Sequence, residues 1–523
     1  MTVFILGAGL MQLPAIRIAK ELGWTVAAAD GNAAAPGAAL ADRFRHVDLK
    51  DREGLEAAAR ELRAEIGLDG VFTAGTDFSA SVAWVAERLG LPGIPYETAL
   101  RASNKLKMRA ALAAAGVPSP RFVEAASPGE APAAASALGF PLVVKPADSM
   151  GARGCRAVRS AAELEAAVAE ALPHSRTGRA IVEEYVEGPE FSIDALVEEG
   201  RIKIRGLADR HIAFAPYFVE IGHTMPTAYP PEVAAEVLRV FELGVRAIGI
   251  ARGAAKGDIK YSPERGTAVV GEIAARLSGG YMSGWTYPYA SGIEVTREAL
   301  ELAVGLSPAE PGPDRGWVSA ERAFVSIPGR LASLMGTREA ERTPYMKDLF
   351  YRALPGDRLV FPANNVEKLG NVLSQAPDRG RAVEAAMAAV RSILPRLAPG
   401  DEATEAFLRG EGREPAEGGA QWPPEAFPAE GAAAAELAAM PEYLRRGPGP
   451  LSVLPFDRAA ELGGLDWSGR GFVESAERAL ELGGARLGTS GGTVLGGRFW
   501  RSLARGGLQA ALYALDSARG GEA

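Results

Sequence analysis

Within VVGEIAARLSGG, residues 269–280, a carboxylate and an arginine share one short segment, and small residues follow directly. Glu272 is a hard oxygen donor, and magnesium takes one or two such carboxylates, filling its shell with phosphate oxygens and water. Arg276 is permanently charged and forked, so it suits a phosphoryl group formed beside it. The run Ser278-Gly279-Gly280 leaves open space, and Gly279 and Gly280 are assigned to substrate contact. Upstream, GDIKY (257–261) carries Asp258 on an expected neighbouring strand, where it would join Glu272 as a second metal carboxylate. Lys260 would add a further charge there. The plain alternative is a salt bridge among these groups.

A second constellation suits a polyphosphate. In VVKPADSMGARG (143–154) an apolar strand delivers Lys145 to a loop with Ser149, Gly151 and Gly154. Small residues let backbone N–H groups approach phosphate oxygens, and the lysine adds charge. No Gly-Lys-Ser/Thr opens a helix, so this is not a Walker loop; a simple hairpin turn is the alternative. IVEEYVEGPEFS (181–192) presents Glu183, Glu184, Glu187 and Glu190 after an apolar strand. An extended segment can offer adenine a backbone donor and acceptor, and Glu190 would suit ribose hydroxyls; an acidic edge facing water is the alternative. Glu220 and His223 in FVEIGHTMP could bind a substrate amine or take its proton, against a merely structural histidine. Lys105 alone carries little weight.

GAGLMQLP (7–14) follows a strand, but Gln12 stands where a dinucleotide fingerprint needs its third glycine. Asp30 ends the second strand, so an NAD reading stays open beside an anion-binding turn and a plain turn. Cys155 is expected to be a small buried residue. GTSGGTVLGG (488–497) lacks a lysine and is expected to lead flexibly into a helix over 498–517.

The elements that must position these groups alternate. TVFILGAG (2–9), TVAAAD (25–30) and DGVFTAG (69–75), with helices between, predict a parallel doubly wound sheet ending near residue 100. A helix from 104 stops at Gly116 and Pro118. Strand 180–186, a hairpin over 191–208 turning at Glu199-Gly200, a helix over 231–248 and strands at 257–261 and 268–274 follow. AERAFVSIPGRL (320–331) and GDRLVFP (356–362) predict strands, and 381–394 a helix. Residues 398–450, rich in Gly, Pro, Ala and Glu, predict a linker, partly disordered. Residues 451–523 regain apolar content as an extension of unknown role.

The 523 residues suffice for several domains. A net charge of −8 argues against a nucleic-acid footprint. The single cysteine excludes an internal disulfide framework and fits a reducing compartment. No apolar run reaches the roughly 18–20 residues that cross a bilayer, so no membrane partner is expected and the cytoplasm is the default location.

The order of the pieces is more specific than any one of them. NKLKMRAALAAAGVPSP, FPLVVKPADSMGARG, IVEEYVEGPEFSID, GDIKY and GEIAARLSGG make residues 1 to about 395 resemble the ATP-grasp superfamily, nearest its carboxylate–amine ligases of the L-amino-acid ligase branch. The resemblance implies an α/β fold, α+β in the ATP-binding part. It implies a Rossmann-like pre-ATP-grasp domain at 1–103, an ATP-grasp domain at 104–310 with a lid at about 118–188, and the end of the ligase core at 311–397. It implies ATP and magnesium, or manganese, as cofactors. Lys105 and Lys145 would contact phosphates, with Ser149 to Gly154 closing over them. Glu183, Glu184 and Val186 would meet adenine and Glu190 the ribose. Asp258 and Glu272 would hold metal, Arg276 and Lys260 would serve catalysis, and Glu220 and His223 would lie near substrate. A homodimer is common in the family.

The chain departs from the pattern at Ala274, where many relatives carry Asn, at Asp258, where this branch has Glu, and at Lys256, where His is common. The expected activity is ATP-dependent coupling of a small-molecule carboxylate to an amine through an acyl phosphate. Bicarbonate-dependent carboxylation and an ATP-switched scaffold are the alternatives. No biotin-attachment Met-Lys-Met is present.

Overall fold

The structure is a computed structural model that describes residues 1–411, 414–415 and 421–520. The chain divides into two units. The first comprises Met1–Ile212, Gly222–Glu321 and Gln375–Arg379; the second comprises Ala213–Ile221, Arg322–Ser374 and Gly380–Ala523.

The first unit opens with strands β1 (Thr2–Leu6), β2 (Thr25–Asp30), β3 (Arg43–His46) and β4 (Gly70–Phe72), parallel and ordered β3-β2-β1-β4. Every residue of β1 is buried, as a central parallel strand covered on both faces requires. The turn after β1 uses Gly7 at φ +105, a conformation glycine adopts freely. Asp30 accepts from the N–H of Ala8 at 2.8 Å and of Asn32 at 2.8 Å. Gln12 lies against Gly7 and accepts from Ala74 N–H at 3.1 Å. Asp30 is therefore spent on the turn and Gln12 plugs it, which removes the two features on which an NAD reading rested.

A small sheet follows, built from β5 (Phe122–Ala125), β6 (Leu142–Pro146), β7 (Arg156–Val158) and β8 (Ala180–Glu184) in the order β5-β8-β6-β7. Helices Ala131–Leu138 and Ala161–Ala171 share its core with Leu142, Val144, Val158 and Val182. The third sheet holds Asp258 and Glu272. Five of its eight strands, β9 (Glu190–Glu198), β10 (Arg201–Ala213), β11 (Val219–Met225), β12 (Gly253–Ser262) and β13 (Thr267–Ala274), run in the order β13-β12-β9-β10-β11. Helix Pro231–Ile248 buries Val237, Val240, Phe241, Val245 and Ile248 in one core with Phe191, Ile193, Ile259, Val270 and Ile273. These helix positions recur at three- and four-residue spacing, the period of one helical face. With side chains alternating along each strand, the other face of β9, β12 and β13 is left for polar groups.

In the second unit, Gly329–Met335 pairs with Arg358–Leu359 and with Leu394–Leu397. The strand expected over 320–331 is two, Val318–Phe324 and Gly329–Met335; Pro328 between them has no N–H to give a ladder. The strand expected over 356–362 is reduced to Arg358–Leu359. The linker expected over 398–450 also differs. Helices Glu402–Arg409 and Gly431–Ala439 and strand Tyr443–Arg445 form there. Phe427, Ala433 and Leu437 join one core with Phe472, Trp500 and Leu512. A few large side chains anchor alanine-rich helices whose average composition hides them. Residues 412–413 and 416–420 of that stretch lie outside the described residues. Strands Tyr443–Arg445, Leu451–Val453, Arg486–Leu487 and Thr493–Leu495 make a four-stranded sheet beside helix Phe472–Leu482 and the helical segment Gly497–Gly520, which breaks at Gly506 and Gly507.

Candidate active site

Asp258 and Glu272 are direct cross-strand partners on β12 and β13. The register slips just beyond them, at Gly271, where a Cβ would stand 2.9 Å from the Asp258 carbonyl oxygen. The bulge re-aims the end of β13. On the other side of β12, Asp258 faces Ser192 and Lys256 faces Asp194. Asp258 accepts from Ser192 Oγ at 3.1 Å and is ion-paired with Lys256. Burial would raise the Glu272 carboxyl, but Lys105, Lys256 and Arg276 outweigh it and the repulsion of Asp258, and hold it below its ordinary range. Glu272 is thus kept ionised, as a ligand for a hard cation must be.

Lys105 begins helix Lys105–Ala114, which Asn104 caps by accepting from Lys107 N–H at 3.0 Å. Its Nζ donates to Ser149 O at 2.6 Å and its N–H to Ala147 O at 2.7 Å, so it grips the start of the glycine loop. Gly151 and Gly154 adopt φ +73 and +61, values open to glycine without strain. Arg153 ties the loop to Asp77 at 2.9 Å. Lys145 on β6 pairs with Glu183 on β8 at 2.6 Å, and the far oxygen of Glu183 receives Arg109 Nε at 2.7 Å. Burial opposes ionisation of Glu183, but Arg109 and Lys145 prevail and lower it to about 2. Glu184 is paired with Arg121 and Arg265 at 3.0 and 3.1 Å. Both carboxylates are thus committed within the protein. A contact of this segment with adenine would run through the backbone toward Val186. Cys155 beside the loop is buried, and burial pushes its thiol up to about 11.

Glu190 pairs with Arg210 at 2.7 Å and with Lys260 at 3.1 Å. Lys260, expected at the reaction end, is therefore engaged beside Glu190, and its Nζ lies 5.2 Å from the Tyr185 ring centre. A cavity of about 340 Å³ opens there, lined also by Asp209, His211, Tyr229 and Arg379.

Arg276 is buried, and donates to Leu277 O at 2.7 Å. Asp194 accepts from Ser278 N–H and Oγ, both at 2.9 Å. Ala74 bridges to Leu277, and a Cβ on Gly75 would lie 2.8 Å from Gly279 Cα. The first sheet thus abuts the segment with Gly279 and Gly280. His223 on β11 meets Glu321 at 2.6 Å through Nδ1 and Ser192 Oγ at 3.3 Å through Nε2. Glu220 lies on the same strand; its N–H donates to Asn365 at 2.8 Å and its carbonyl accepts from Lys368 at 2.8 Å.

Arg109, Ser192, Asp194, Arg210 and Glu321 were not anticipated, and Lys256 only as a departure. The alternation of Glu190, Ser192 and Asp194 along β9 puts all three on one face, a signal present in EFSID. Arg109 stands one helical turn beyond Lys105, the spacing of a shared face.

A family model described as an ATP-grasp domain matches residues 138–284. An ATP-grasp N-terminal domain matches 16–93, and an L-amino acid ligase C-terminal domain 2 matches 323–398. An uncharacterized protein of Sinorhizobium fredii, y4rH, is 27% identical over 68% of this chain and 73% of its own length. The L-arginine-specific L-amino acid ligase of Bacillus subtilis is 29% identical over 37% of this chain, which spans 48% of that enzyme. The L-amino acid ligase structure from Bacillus licheniformis superposes with a TM-score of 0.66 at 22% identity, over 76% of this chain and 98% of that one. Among the described residues no helix is long and apolar enough to cross a membrane.

Proposed function

We propose, for a chain that belongs to the ATP-grasp superfamily, that it couples a small-molecule carboxylate to an amine at the expense of ATP. The observation that carries this reading is the cross-strand pair Asp258–Glu272 with Arg276 four residues beyond. Two carboxylates side by side fit magnesium, which they would hold between them. When bound, that ion would neutralise charge on the transferring phosphate.

In the first step an oxygen of the substrate carboxylate attacks the γ-phosphorus of ATP. The bond to the bridging oxygen breaks, and ADP leaves. Lys145 and Lys105 neutralise phosphate charge, and Arg276 receives the acyl phosphate oxygens. In the second step the amine nitrogen attacks the acyl carbon, inorganic phosphate departs, and the nitrogen loses its proton. His223, oriented by Glu321, is suited to take that proton. Substrates held beside Gly279 and Gly280 would react without the entropy cost of a free encounter. The identity of the L-amino acid ligase C-terminal match supports amide formation over carboxylation.

The test is release of ADP across a library of amino acids, small acids and bicarbonate, with mass detection of the product. An amide product that vanishes in Glu272→Ala is expected. Full activity in Glu272→Ala, or release that depends strictly on bicarbonate, would overturn the assignment.

A further inference from the structure

We propose that Arg109 is a positioning residue for Lys145, acting through Glu183. The inference rests on the reading of Lys145 as a nucleotide-phosphate ligand. Arg109 is fully buried. Its Nε holds one Glu183 oxygen at 2.7 Å while Lys145 holds the other at 2.6 Å. Its Nη2 donates to Gly271 O at 2.7 Å, the residue before Glu272. One guanidinium therefore links helix Lys105–Ala114 to β8 of the lid sheet and to the bulge beside the metal carboxylates. The planar fork of arginine presents Nε and Nη2 in fixed, separated positions that reach both acceptors, a geometry that the compact ammonium of a lysine does not offer.

Stability is a weak explanation of this arrangement. A buried ion pair gives back in desolvation much of what it gains, and apolar replacements are often neutral or better. Arg109 Nη1 is moreover buried without a hydrogen-bond partner among the described residues, a further cost. What the arrangement does provide is a fixed ammonium. Two cations share one carboxylate, so the cluster keeps one positive charge. The cation on the exposed side is Lys145, whose side chain is 21% exposed against 0% for Arg109. Burial would lower the Lys145 ammonium, but Glu183 lifts it above its ordinary value, so it stays charged. With Arg109 absent, Glu183 would be free to turn with its lysine away from the site.

The test is a double-mutant cycle on nucleotide affinity. Binding of AMP-PNP with magnesium is measured by calorimetry in the wild type, Arg109→Met, Lys145→Met and the double variant. Arg109→Met should weaken binding on the order of 10–100-fold, the range typical of losing a residue that orients a ligating side chain. The double variant should bind no more weakly than Lys145→Met alone, because coupled residues are not additive. Arg109→Lys should recover part of the loss. If Arg109→Met does not fold, the cycle is run with Arg109→Lys. Additive losses in a protein that binds nucleotide would overturn the positioning role and leave the ligase reading intact. Failure of the wild type to bind nucleotide would overturn both.

Discussion

Replacing Asp194 with asparagine should stabilise this protein at alkaline pH, although it alters a residue that is fully buried beside Ser278. Asp194 Oδ1 accepts both donors of Ser278, and an amide oxygen can do the same. What the substitution removes is a charge. Burial pushes the Asp194 carboxyl from 3.8 up to about 7, against the opposing pull of Ser278, Lys256 and Arg276. The unfolded aspartate titrates near its ordinary value. Between pH 3.8 and about 7 the folded chain therefore binds more proton than the unfolded chain, and stability falls as pH rises through that window. At ~1.4 kcal/mol for each pH unit, the loss amounts to about 4 kcal/mol by pH 8. Asp194→Asn has no such loss. Urea denaturation of both proteins at about pH 4, 6 and 8, followed by circular dichroism, measures the difference. The variant's advantage should grow by about 4 kcal/mol from pH 4 to pH 8. A difference that stays constant across that range, or that moves against the variant, would refute the reasoning.

Cys155, its thiol lifted to about 11 by burial, should carry roughly one thiolate per thousand at pH 8. It should react with a disulfide reagent only after unfolding; prompt labelling of the native protein contradicts this. Gly75 adopts φ +62 with no room for a methyl against Gly279. Gly75→Ala should therefore lower turnover on the order of 10–100-fold while leaving nucleotide affinity intact; unchanged turnover would show that this contact does not serve the substrate end.

The strands that hold the chemistry were legible because their residues obey simple periods. GDIKY alternates apolar and polar residues and VVGEIA is a short apolar run broken by Gly271 and Glu272, and the structure pairs them in the register that makes Asp258 and Glu272 neighbours. The partners of those residues were harder to see. Arg109 meets Glu183 across 74 positions and Gly271 across 162, and no local pattern encodes such distances. Glu321 reaches His223 across 98 positions for the same reason. Lys260 shares a strand face with Asp258, two residues away, and strand pairing also sets it opposite Glu190, a partner that no local pattern shows. The stretch 398–450 was misjudged because a linker was inferred from average composition. Burial is decided by single large residues, and Phe427, fully buried, is enough to seat its neighbours.

The lysines of the site fall into two classes with different work to do. Lys145 is locked by a buried carboxylate that Arg109 also holds, so its charge is fixed before any phosphate arrives. Fixed charges stabilise a transferring phosphoryl group without reorganising, which is where most of their catalytic value lies. Lys256 is different. It is paired with Asp258, one of the two carboxylates suited to a metal, and a divalent cation there would compete with the ammonium for the same oxygen. The ion pair satisfies Asp258, and a metal that took the carboxylate would leave the ammonium at hand for phosphate. Lys256 would then act as a placeholder charge for a metal beside Asp258. Strand pairing joins the two positions: Lys256 is the direct cross-strand partner of Ala274, so an apolar methyl on β13 faces an ammonium on β12 beside the Asp258–Glu272 pair.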